Sequence, residues 1–233
     1  MNKNYIKTIK EKNIDFINKI KRKYKQIIYK NIYTNFNIHT IADGHHNVTY
    51  MGVKAIKCPF DYVLYQMIIS EVKPDLIIEI GTANGGAALY FGDLLNVLGN
   101  GMIHTIDIEP IYDKALLNHP RIKLFSDGWE KYDLKETEGF SKILVIEDGA
   151  HTYEQSIGAI KKYAPLVSKN SYLIVEDGIV NELGMKKGYN GGPLRAIVEF
   201  LKDNDEFKID RKWCDFFGKN ATFNVNGYLK KIK

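Results

Sequence analysis

The chain has 233 residues, 45% of them hydrophobic, which suffices for the core of one sizeable domain. Its net charge of +5 is uneven: the first thirty residues hold ten Lys/Arg against two acids, a local +8, so the remainder carries about −3. An acidic body excludes a nucleic-acid groove there, and the two cysteines, Cys58 and Cys214, lie outside any CxxC spacing and exclude a disulfide framework or a zinc finger.

In the basic start, Ile6, Ile9, Ile17, Ile20, Tyr24, Ile27 and Ile28 recur at helical spacing between lysines, the pattern of an amphipathic helix. Docking on the body, or on a partner subunit in a homo-oligomer, is the expectation, ahead of attachment to a membrane surface. No apolar run approaches bilayer length, and the compact apolar segment and cleavage site of a signal peptide are missing from the start, so a cytoplasmic protein is expected. From Asn31 to Asn47 the chain is rich in Asn and Thr and reads as a connection or loop, with His39, His45 and His46 in it. Residues 1–47 are therefore taken as helix and connection, and residues 48–233 as the main domain.

Pro59 can open a helix through about Val72, with Pro74 stopping it. Short apolar runs then alternate with helical patterns, as in a mostly parallel α/β sheet covered on both faces. The expected strands are Leu76 to Ile80, Met102 to Ile108, Arg121 to Phe125, Lys142 to Asp148 and Ser171 to Asp177. Helices are expected over Ala87 to Leu98, Tyr153 to Leu166 and Pro193 to about Leu201. The Phe, Trp and Val runs after Phe207, split by GKNA, suggest an antiparallel hairpin at the sheet edge.

EIGTANGG, Glu79 to Gly86, sits at the first strand's end ahead of a helix, where ligands bind in doubly wound sheets. Gly81, Gly85 and Gly86 would let a ligand approach the backbone. The spacing is GxxxGG rather than the GxGxxG that seats a pyrophosphate on a helix end. It suits S-adenosylmethionine, which has no phosphate but has an ammonium that Glu79 could help to position. Thr82 and Asn84 belong to the same turn, and Asp127 with Gly128 follows the third strand; both sets are expected beside the cofactor. Asp107, at the second strand's end, is placed to grip a ribose diol with a carboxylate, with Glu109 as backup.

EDGAH, Glu147 to His151, ends the fourth strand, and Glu176 and Asp177 end the fifth. Neighbouring parallel strands end side by side, so Asp148, Glu176 and Asp177 would repel unless a cation lay among them; a hard divalent ion, most simply Mg²⁺, answers that need. His151, three residues beyond Asp148, is the candidate general base, since imidazole changes charge near neutral pH.

These motifs resemble the cephalosporin hydroxylase/rhamnosyl O-methyltransferase family. The likeness runs from about Tyr50 to Lys231 through YMGVKAIKCPFDYVLYQMII, PDLIIEIGTANGGAALYF, HTIDIEP, HPRI, EDGAH, YLIVEDG, GGPLRAIVEFL and NVNGYLKK. It implies a Rossmann-like class I methyltransferase sheet and methyl transfer from S-adenosylmethionine. Asp148, Glu176 and Asp177 match the family's metal-ligand positions, and Glu79, Gly81 and Asp107 its cofactor contacts. Two departures stand out: Gly149 replaces a hydroxyl of the family's LDS, and Met67 replaces a residue often acidic in relatives.

The expected reaction is deprotonation of an acceptor hydroxyl by His151, with Asp148 holding the ion, and in-line attack on the sulfonium methyl. Relatives methylate sugars or glycosylated molecules, so a sugar-containing acceptor is favoured, such as a nucleotide-sugar or surface-glycan precursor, with Tyr50, Lys54, His45 and His46 bordering its pocket. A non-haem iron hydroxylase is disfavoured, because no HxD or HxE surrounds any of the six histidines. The YxxxK of Tyr50 and Lys54 raises an NAD-dependent short-chain dehydrogenase, but it precedes the glycine turn instead of following it. A cofactor-binding assembly subunit without turnover is the non-enzyme alternative.

Overall fold

The computed structural model describes residues 14, 16–23, 37–109, 111 and 114–233. Met1–Thr40 and Ile41–Lys233 form separate compact units. In the first, residues 16–23 are helical and Ile17 and Ile20 are exposed, while the other apolar positions of the expected basic helix, Ile6, Ile9, Tyr24, Ile27 and Ile28, lie outside the described residues. Among the described residues no helix is long and apolar enough to cross a membrane.

The described part of the expected connection is a helix instead. Helix α1, Ile38–His45, starts where the Asn37 side chain accepts from the backbone N–H groups of His39 and Thr40 at 2.9 and 3.2 Å. Thr40 Oγ1 answers by accepting from Asn37 N at 2.9 Å, a reciprocal N-terminal cap. His45, at the end of α1, packs edge-on against Phe223, with ring centroids 5.1 Å apart.

A small hairpin, β1 (Thr49–Tyr50) and β2 (Val53–Lys54), leads into α2, Pro59–Val72. Pro59 costs α2 no hydrogen bond at its first turn, and Lys73 ends it in a left-handed conformation before Pro74. Then follow β3 (Leu76–Ile80), α3 (Gly86–Leu98), β4 (Met102–Ile106), α4 (Lys114–Leu117), β5 (Ile122–Phe125) and β6 (Ile143–Glu147). The chain continues through α5 (Tyr153–Tyr163), β7 (Tyr172–Val175), α6 (Gly192–Lys202), β8 (Phe207–Ile209), α7 (Arg211–Cys214) and β9 (Tyr228–Lys231).

The main sheet runs β5-β4-β3-β6-β7-β9-β8, with the first five strands parallel and β9 antiparallel to both its neighbours. The expected edge hairpin therefore exists, but β9 lies inside β8, and the Phe/Trp run after Ile209 forms α7 and turns rather than strand. Each expected parallel strand is present; β3 and β5 end where expected, whereas β4, β6 and β7 end one or two residues early, which leaves Asp107, Asp148, Glu176 and Asp177 just beyond the sheet.

Side-chain alternation divides the core between the two faces. Ile78, Ile80 and Val145 pack with Ile160, Tyr163, Ile197 and Phe200 of α5 and α6. Ile77 and Ile146 pack with Leu64, Ile68, Phe91, Leu95 and Trp213 of α2, α3 and α7. Each fully buried Ile or Leu contributes about 1.5–3 kcal/mol over its exposed state. Met67 is a partly buried member of the second cluster.

Candidate active site

The site follows from strand register. Ile80 is paired with Ile106 on one side and Glu147 on the other, so Gly81, Asp107 and Asp148 are each the first residue past aligned strand ends. Glu147 is paired with Val175, which puts Glu176 beside Asp148 and Asp177 one step further. The chain direction across the sheet reverses at β3, the crevice where α/β sheets bind ligands.

Two clefts meet there. The larger, of about 370 Å³, is lined by Gly81, Ala83, Asp107, Ile108, Gly128, Trp129, Asp148 and Gln155, among others. The smaller, of about 170 Å³, is lined by Lys54, Ile56, Thr82, Asn84, Gly86, His151 and Asp177, among others. Gly81, Ala83, Asp148 and Gly149 belong to both.

In the larger cleft Asp107 is fixed by the backbone: its Oδ2 accepts from Ala83 N at 2.8 Å, and its Oδ1 from Ile108 N and Glu109 N at 2.7 and 3.2 Å. A carboxylate has about four acceptor sites, so one remains for a ligand hydroxyl. Gly128 closes the turn by donating its N–H to Asp107 O at 3.1 Å. Trp129 and Gln155, which the sequence reading did not single out, form a wall, with Trp129 Nε1 donating to Gln155 Oε1 at 2.8 Å. The indole lies against Gly158 of α5, where a Cβ would come within 2.8 Å of it. No pattern in the sequence marks this pair, because it depends on the packing of α5.

Other expected cofactor residues fall differently. Glu79 is fully buried and accepts from Thr105 Oγ1 at 2.6 Å, while its second oxygen has no partner. Burial pushes its carboxyl up to about 7, although the Lys57 charge and the Thr105 bond pull the other way. Thr82 extends the same buried chain, 2.7 Å from Thr105 Oγ1. Asn84 Nδ2 donates to Ile111 O at 3.3 Å, and Asp127 is exposed outside both linings. Gly85 and Gly86 meet protein: a Cβ on Gly85 would press on Leu116, and one on Gly86 would stand 2.4 Å from Lys54 O. These two glycines admit α4 and the small hairpin to the start of α3.

Around the smaller cleft Asp148, His151 and Asp177 present donor atoms within 4.8 Å of one another. His151 Nε2 lies 3.2 Å from Asp177 Oδ2 and 4.0 Å from Asp148 Oδ1, and its buried Nδ1 has no partner. His151 and Asp177 both have left-handed backbones, with φ of 56° and 54°, an uncommon conformation outside glycine that is often found at functional sites. The carboxylates of this group fit a hard divalent ion, with the imidazole beside them. Glu176 is close by but held from behind, its Oε1 accepting from Tyr65 OH at 2.6 Å and Lys57 Nζ at 2.7 Å.

Lys57, also unforeseen, bonds Asp148 Oδ2 as well. Burial alone would lower its pKa, but the Asp148 and Glu176 charges outweigh that and hold it well above the usual lysine range, as an ammonium. Part of the repulsion expected among the acids is thus relieved by a cation from the chain itself. A second lysine in VKAIKCP, three residues after Lys54, carries no sequence pattern to announce this.

Of the residues expected around the acceptor, Lys54 lines the smaller cleft. Tyr50 is engaged elsewhere, donating to Asp93 Oδ2 at 2.7 Å, and His45 and His46 pack against each other, with ring centroids 4.0 Å apart. Tyr50 therefore does not act with Lys54 as a dehydrogenase pair. His104 stays inside β4, with its Nδ1 2.7 Å from Tyr132 OH.

A family model described as Rhamnosyl O-methyltransferase/CmcI matches residues 43–232. The rhamnosyl O-methyltransferase of Mycobacterium tuberculosis (strain ATCC 25618 / H37Rv) is 31% identical over 172 residues, covering 70% of this chain and 69% of that protein. That of Mycobacterium leprae (strain TN) is 30% identical over 190 residues, covering 78% and 82%. Among solved structures, CmcI with SAH aligns with a TM-score of 0.64 at 18% identity, covering 87% of this chain and 95% of that one. CmcI with Mg and SAM aligns with a TM-score of 0.62 at 18% identity, covering 87% and 88%. These structural alignments establish the fold.

Proposed function

The chain belongs to the rhamnosyl O-methyltransferase/CmcI family and is an O-methyltransferase; on that premise we propose that it moves a methyl group from S-adenosylmethionine to a hydroxyl of a sugar-containing acceptor, at a site that also takes Mg²⁺ or another hard divalent cation. The observation that carries this reading is the pair of clefts with Asp148 in the wall common to both. The larger suits the methyl donor and the smaller the acceptor, so the reacting groups meet beside Asp148.

Gly81 and Gly128 form the donor floor, Asp107 accepts from a ribose hydroxyl through its remaining site, and Trp129 with Ile108 offers a flat apolar wall to the base. Glu79 and Thr82 support this floor from beneath, with Asn84 and Gly85 in the same turn and Asp127 beside Gly128 at the rim. Asp148, Glu176 and Asp177 would hold the divalent cation, which when bound lowers the pKa of an acceptor hydroxyl. His151, 3.2 Å from Asp177, takes the hydroxyl proton. The acceptor oxygen forms the new bond to the methyl carbon as the carbon–sulfur bond breaks and sulfur keeps the electron pair. Holding both reactants in contacting clefts supplies the positioning, for which effective molarities of about 10⁵ M or more are attainable.

A sugar acceptor is supported by the rhamnosyl O-methyltransferases among the relatives, and a nucleotide-sugar or surface-glycan precursor is the favoured form. Both cysteines are free and buried, in keeping with a cytoplasmic enzyme. The test is incubation with labelled S-adenosylmethionine and a panel of nucleotide-sugars, with and without chelator, read by mass spectrometry. The expected product is one methylene heavier and is lost on chelation. Tight cofactor binding with no methylated product from any sugar would favour an assembly subunit without turnover.

A further inference from the structure

Methyl transfer as proposed above requires no ammonium behind the carboxylates, yet the chain buries one there. Lys57 is 3% exposed, and its Nζ reaches Asp148 Oδ2 and Glu176 Oε1. Each contact takes a single oxygen of a side chain that has two. Asp148 keeps Oδ1 on the side of His151 Nε2, 4.0 Å away. On Glu176 the occupied oxygen is secured a second time by Tyr65 OH at 2.6 Å.

The backbone ahead of Lys57 is also unusual. Ile56 has φ of 44°, a left-handed conformation that is strongly disfavoured for a β-branched residue, and it lines the smaller cleft. Strain of this kind persists only where surrounding structure imposes it, and here it falls at the turn that carries Lys57 inward.

We infer that Lys57 is a positioning residue of the ion site: by binding one oxygen of Asp148 and one of Glu176, it fixes both side chains with the other oxygen available to the ion. The inference rests on the metal reading above. It differs from two simpler roles for the lysine, that of a buried structural ion pair and that of a tethered cation competing with the metal for the same oxygens.

The experiment is titration of the full chain with Mn²⁺ alone, followed by electron paramagnetic resonance, for wild type, Lys57→Met and Lys57→Gln, with S-adenosylmethionine affinity and circular dichroism measured on the same samples. Lys57→Gln keeps a donor for the carboxylates and provides the comparison should Lys57→Met fail to fold. The expected result is Mn²⁺ binding weakened by about 10- to 100-fold, the range for partners that orient metal ligands, with cofactor affinity near wild type. Affinity equal to wild type would leave Lys57 a structural role only, and tighter binding would make it a competitor; either overturns the inference while the metal reading stands. Failure of the wild type to take up Mn²⁺ would overturn both.

Discussion

The Cα of Gly81 rests on the carbonyl of Asp148: a Cβ at Gly81 would stand 1.9 Å from that oxygen. The two residues begin the loops after adjacent strands, and their backbones, not their side chains, set the spacing between the clefts. Gly81 also has φ of 99°, open in practice only to glycine.

Gly81→Ala is therefore expected to force β3 and β6 apart at their ends. A destabilisation of about 3 kcal/mol or more is expected in chemical denaturation, combining the clash with the backbone strain. Gly44, where a Cβ would meet nothing within 4 Å, is the control, and its alanine variant is expected to stay close to wild type.

His151 is proposed to accept the hydroxyl proton. His151→Gln is expected to lower kcat by about 10²- to 10⁴-fold while leaving S-adenosylmethionine affinity within a few-fold of wild type. Calorimetric titration together with single-turnover methylation separates the two quantities. A parallel loss of cofactor binding would mean that the imidazole maintains the donor cleft.

Trp129→Ala tests the assignment of the larger cleft. Removing the indole takes away the flat wall beside Ile108 and its bond to Gln155. Cofactor affinity is expected to fall by about 10-fold or more, the weight of a lost aromatic contact and its burial. An unchanged dissociation constant would place the adenosyl group elsewhere.

Glu79 gives a dependence of stability on pH. Its folded value of about 7 lies above the ordinary 4.5, because burial disfavours the carboxylate. Its stabilising contribution is thus full below about pH 4.5 and is lost as pH rises through about 7. Glu147, likewise raised to about 7 by burial, adds to the same trend. Glu79→Gln is expected to flatten the fall in unfolding free energy between pH 5 and pH 8 without abolishing it, with a gain at pH 8 on the order of 3 kcal/mol. Parallel wild-type and variant curves would contradict the assignment.

The parallel strands and the placement of the acids were legible because both are local. LIIEI and ILVIE can only be buried parallel strands in this alternation, and an acid one residue past such a strand must lie at the carboxyl edge. Lys57 and Trp129 were not legible, since their roles arise where α2 and α5 return to the sheet, 91 residues from Asp148 in the case of Lys57. The Asn-rich composition before Asn47 concealed α1, where Asn37 serves as a cap rather than a loop former. The run beyond Ile209 reads as strand because it is aromatic, yet Trp213 enters the core from a helix while Phe216 and Phe217 stay exposed.

Carboxylates from the ends of β6 and β7 are proposed to hold one divalent ion beside the methyl donor. Anomalous diffraction from crystals grown with Mn²⁺ and adenosylhomocysteine locates that ion. A single strong peak within coordination distance of Asp148 and Asp177, next to the sulfur of the nucleoside, is the expected result; an empty cluster, or a peak bound only by residues remote from these strand ends, would contradict it.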